Sequence, residues 1–194
     1  MALIDFPSEL LVIRSDLSLQ HPGQVVLRSV YGAGTQVLGR GPGYWTGQLE
    51  IAETDRNSDS QRRAMELFLT QLRGAENTFE VPLYRPSGGE LAKGTVLSVS
   101  SATNTLGVVE VTVTGAASGL VKGDYVSIGN RLYQLTSGLN AFKFQVEPPV
   151  APSSGRILWE DVTCLARLTG ERRRPASWTP DFGGPWALEW EEAV

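Results

Sequence analysis

Apolar and polar positions alternate with a period of two along Tyr44 to Glu53, placing Trp45, Leu49 and Ile51 on one side and Thr46, Gln48 and Glu50 on the other. That is the pattern of a half-buried strand. The period then changes: Ser58-Asp59-Ser60-Gln61 has the Ser-x-x-Gln form of a capping box, and Met65, Phe68, Leu69 and Leu72 follow at helical spacing before Gly74. The spacing predicts a helix from about Asp59 to Arg73, with Arg62, Arg63, Glu66, Thr70 and Arg73 on its polar side. Alternation resumes at Thr78 to Leu83, with Phe79, Val81 and Leu83 inward. One helix on a sheet is therefore expected, with Trp45, Leu49, Ile51, Met65, Phe68, Leu69, Leu72, Phe79 and Val81 forming the helix–sheet core.

Elsewhere the chain reads as strands and turns. Leu10–Arg14 and Gln24–Tyr31 are candidate strands, and Gly32 to Gly43 reads as a mobile, glycine-rich hairpin tip. From about Gly94 to Gly155 no helical period appears. Five short strands are expected there, near Val96–Val99, Val109–Val113, Asp124–Ile128, Arg131–Leu135 and Phe142–Val146, with Gly129-Asn130 as a two-residue hairpin turn. Their spacing predicts a small antiparallel barrel. Ile157 to Leu168 reads as one long strand, and Trp186 to Glu191 alternates bulky and acidic residues. The resulting organisation is a sheet-rich domain built from residues 1–93 and 157–194, with a five-stranded barrel inserted over residues 94–156.

Composition fits a globular chain of 194 residues with 41% hydrophobic and 20% charged positions, while Gly 21 and Pro 11 fit many turns. The formal net charge of -4 provides no general attraction to nucleic acid or to anionic membrane. No stretch approaches the length and apolarity of a membrane span, and the amino terminus lacks a signal-peptide pattern, so synthesis in a cytoplasm is expected.

Candidate chemistry is sparse. The single cysteine, Cys164, excludes an internal disulfide, and with the single histidine, His21, it cannot assemble a Cys/His zinc site within one chain. Cys164 reads as a small buried thiol and His21, before Pro22-Gly23, as a solvated turn residue. The carboxylate pairs Glu50 with Glu53 and Glu189 with Glu191 have the residue types of a glycosidase, but solvation of an outward strand face accounts for them. Neither a cofactor nor a metal is expected, and no enzymatic activity. Arg172, Arg173 and Arg174 near Trp178 form a basic cluster suited to acidic groups of a partner more than to bases.

Three segments resemble structural proteins from the tails of long-tailed bacteriophages, in particular distal tail proteins: Trp45–Ala52, Leu67–Gly74 and Asn77–Pro82. Leu120–Tyr133 is similar to small phage tail proteins. The resemblance implies a mainly β protein: a tail-tube-like β-sandwich with one flanking α-helix, assembled as a homohexameric ring whose neighbouring sheets continue one another around a channel. It also implies other tail proteins (tube, hub or tip) as partners, DNA as transient cargo only, no membrane, and a place in the virion tail. The chain departs from the family in carrying a small inserted unit where a larger carbohydrate-binding-like domain often follows. A tail tube or tube-terminating protein is the nearest alternative. A glycan-binding module using Trp159, Trp178 or Trp186 as a stacking platform is the alternative of another class.

Overall fold

The computed structural model describes residues 1–22, 25–28, 35–38, 43–52, 59–83, 95–105, 107–117, 119–152, 154–169 and 186–193. Six strands lie side by side in one mixed sheet, in the order β1 (Leu3–Ile4), β6 (Thr78–Pro82), β13 (Thr163–Leu168), β14 (Trp186–Glu192), β5 (Tyr44–Ile51) and β2 (Val12–Gln20). All neighbours are antiparallel except β1 and β6, which are parallel. Two further strands, β3 (Val25–Arg28) and β4 (Thr35–Leu38), pair only with each other. Part of the segment read as a mobile tip is thus a strand, because Thr35-Gln36-Val37-Leu38 is flanked by the glycines that mask its short apolar run.

The alternation in β5 and β14 becomes an apolar face and a polar face. Trp45, Leu49 and Ile51 are buried beside Trp186, Leu188 and Trp190, while Gln48, Ala187 and Glu189 face outward. Trp190 lies opposite Gly47, and a Cβ on Gly47 would stand 2.2 Å from the Asp16 carbonyl oxygen and 2.8 Å from the Trp190 ring. Only glycine admits the indole there.

The helix α1 runs Asp59–Leu72, and its Met65, Phe68, Leu69 and Leu72 join the same buried cluster as Phe79 and Val81. Phe68 meets both Phe6 and Phe79 edge-to-face, each with ring centroids 5.4 Å apart. Burying four large apolar side chains stabilises by roughly 1.5–3 kcal/mol each, against propensity differences of tenths, so packing decides this helix. It ends where Arg73 and Gly74 take left-handed φ of 49° and 73°, and Asn77 N–H donates to the Leu72 carbonyl at 3.2 Å. Ser58, the first residue of the capping box, lies outside the described residues.

The second unit is a closed barrel of six strands in the order β10 (Arg131–Asn140), β11 (Lys143–Glu147), β8 (Val108–Thr114), β7 (Leu97–Thr105), β12 (Arg156–Leu158) and β9 (Tyr125–Ile128). The expected count of five is corrected to six. The extra strand, β12, has only three residues, too few to show a period, yet it closes the barrel by pairing Ile157 with both Leu97 and Ile128. The long strand expected over Ile157–Leu168 accordingly divides, its first part in the barrel and its second, β13, in the sheet. The turn at Gly129-Asn130 has φ of 56° and 67°, the two left-handed residues of a tight hairpin.

The protein is therefore mainly β, with one helix, a mixed sheet and a closed barrel. The mixed sheet is backed by α1 and by barrel residues Tyr125 and Leu132, which share its core; the expected β-sandwich is not confirmed.

Candidate functional site

Two places concentrate polar chemistry: the joint between barrel and sheet, and the open face and edges of the sheet. At the joint, the β9–β10 hairpin is set against the ends of β5, β13 and β14. Glu192 closes β14 with its side chain directed inward, and it is 2% exposed. Its Oε1 accepts from the Leu132 backbone N–H at 3.0 Å and its Oε2 from the Trp45 N–H at 3.2 Å, so one carboxylate ties the barrel to the sheet. Arg131 Nε stands 3.6 Å from Oε1, an ion-pair distance too long for a hydrogen bond, while Arg131 Nη2 donates to the Gly43 carbonyl at 2.9 Å.

Further bonds cross in both directions. The Trp45 indole N–H donates to the Leu132 carbonyl at 2.9 Å, and Leu165 N–H donates to the Asn130 carbonyl at 3.0 Å. Ser127 Oγ donates to the Thr163 carbonyl and accepts from the Thr163 N–H. Trp45 meets Tyr125 edge-to-face at 5.6 Å. The joint is thus a desolvated, hydrogen-bonded seam, of the kind whose strength depends on every member being satisfied.

Burial raises the Glu192 carboxyl above its ordinary range, opposed by Arg131 and by the Leu132 and Trp45 N–H groups. Burial likewise raises the Tyr133 phenol, with Arg131 opposing and Glu192 adding, and lifts the Cys164 thiol well up, with Glu192 and Glu80 adding. Perturbed groups in a cleft would point to catalysis. These three lie in the interior instead, Glu192 at 2%, Tyr133 at 1% and Cys164 at 0% exposure. Their perturbation is a property of the packing.

The outer face of the sheet carries Asp16, Glu50, Glu80, Glu189 and Glu191 against Arg14 and Arg167. Arg167 Nε pairs with Glu191 Oε1 at 2.6 Å, and Arg14 pairs with Asp16 at 3.0 Å in an exposed position where solvent screens most of the attraction. An open groove of about 380 Å³ crosses this face over Gly47, lined by Asp16, Ser18, Thr46, Gln48, Thr169 and Glu189 among others. Its hydroxyls, amide and carboxylates can solvate and accept hydrogen bonds. No group of three or more metal-ligating side chains occurs among the described residues.

The nine residues expected in the helix–sheet core are all buried in one cluster. Glu189 and Glu191 share the outward face, the second engaged by Arg167; Glu50 lies on the same face, and its expected companion Glu53 is outside the described residues. His21, read as a solvated turn residue, is half-buried, its Nδ1 close to the space above Gly43 beside Pro148. Trp159 and Trp186 are buried at 6% and 4% exposure, and the Trp159 indole N–H donates to the Thr95 carbonyl, so neither offers an open stacking face. Arg172, Arg173, Arg174 and Trp178 lie outside the described residues. Glu192 and Arg131 carry no motif; the one sequence signal was an acidic residue falling on the apolar side of the Trp186–Trp190 alternation. No helix among the described residues is long and apolar enough to cross a membrane. No protein-family model matches the chain, and no curated protein matches its sequence.

Proposed function

We propose that the chain is a non-enzymatic structural component of a bacteriophage tail, a ring at the distal end of the tail tube that joins tube to tip or baseplate and leaves a channel for DNA. The observation that carries the reading is the six-stranded sheet: apolar and covered on one face, polar and predominantly acidic on the other, with no further strand paired to either edge strand among the described residues. Unpaired edges require protection or a partner, and copies arranged in a closed cycle satisfy them without growing a fibre. An acidic wall facing a channel repels phosphates and so lets DNA pass without adhering. In the ring, neighbouring sheets continue one another in the tail-tube manner, giving the sheet the lateral closure that it lacks alone.

The barrel is the decorating unit, held rigidly by the seam around Glu192 so that it keeps a fixed place relative to the ring and presents its outer surface to an adjoining tail protein. Among alternatives the tube protein shares these features, and copy number per particle separates the two: one or two rings against many. Light scattering coupled to size exclusion, with electron microscopy of the purified chain, tests the reading. Rings with a central opening are expected; a monomer at all concentrations overturns it.

A further inference from the structure

We draw no further inference here: the strongest candidate, the exposed apolar patch of Val121, Leu139 and Phe142 on the loops at the end of the barrel remote from the β9–β10 hairpin, carries nothing because nothing in the structure shows what covers it.

Discussion

Removing the Glu192 carboxylate should unlock the seam between barrel and sheet. In Glu192→Ala the N–H groups of Trp45 and Leu132 lose their acceptors, and Arg131 keeps only the Gly43 carbonyl. An unsatisfied buried donor costs about 1–3 kcal/mol, and breaking a buried ion pair by deleting one partner costs about 3–5 kcal/mol in all. The desolvation cost of the carboxylate is recovered in the same step, so the net destabilisation should fall near the lower end, about 3 kcal/mol. Glu192→Gln keeps one acceptor and turns an NH₂ toward the other N–H, and should cost about 1–3 kcal/mol. Urea unfolding followed by circular dichroism measures both, and the Trp45 indole N–H resonance, which reports the bond to Leu132, should shift in each.

The pH dependence has a definite sign. Burial raises the folded-state value of Glu192 above 4.5, so between the ordinary and the raised value the folded protein retains a proton that the unfolded chain has lost. This group's contribution is therefore fully present at acid pH and is lost as pH rises through that window. The Gln variant, which cannot titrate there, should lack this component of the slope. A change smaller than about 0.5 kcal/mol in Glu192→Ala, the range of an ordinary surface substitution, would refute the assignment of the seam to this side chain.

Further outcomes follow from the packing. Phe68→Ala should destabilise by about 3–5 kcal/mol, since it empties the space between Phe6 and Phe79, and Phe68→Asp by more because it buries an unpaired charge; thermal unfolding ranks the two. Gly47→Ala should cost about 1–3 kcal/mol or more, as the new methyl meets the Asp16 carbonyl and the Trp190 ring, and a wild-type denaturant midpoint would contradict the close approach. Asn130→Ala should cost about 1–2 kcal/mol through its left-handed φ of 67°, with Asn130→Gly near neutral by the same measurement.

The helix and its partners were legible because their signal is local. Met65, Phe68, Leu69 and Leu72 repeat at one period within a single element, and Trp45, Leu49 and Ile51 at another, so each burial pattern is written where it is used. The short elements were not, for the same reason. β1 and β12 are strands only because distant segments pair with them, Leu3 with Thr78 and Ile157 with Leu97 and Ile128, and two or three residues cannot display a period of two. The packing of barrel residues Tyr125 and Leu132 into the core of the sheet is likewise a tertiary fact with no local pattern.

Glu192 shows how such a contact leaves a faint trace. In Trp186-Ala187-Leu188-Glu189-Trp190-Glu191-Glu192 the apolar residues alternate with exposed ones, and the last glutamate takes the inward place where the pattern calls for another apolar side chain. A charge at an inward position costs several kcal/mol unless partners meet it. The sequence therefore already required donors from outside the strand, and among the described residues the start of β5 and the β9–β10 hairpin of the inserted unit deliver them. An acidic residue that breaks a strand's apolar series at its end thus marks the joint: it specifies one docking of barrel on sheet, because any other leaves the carboxylate buried and alone.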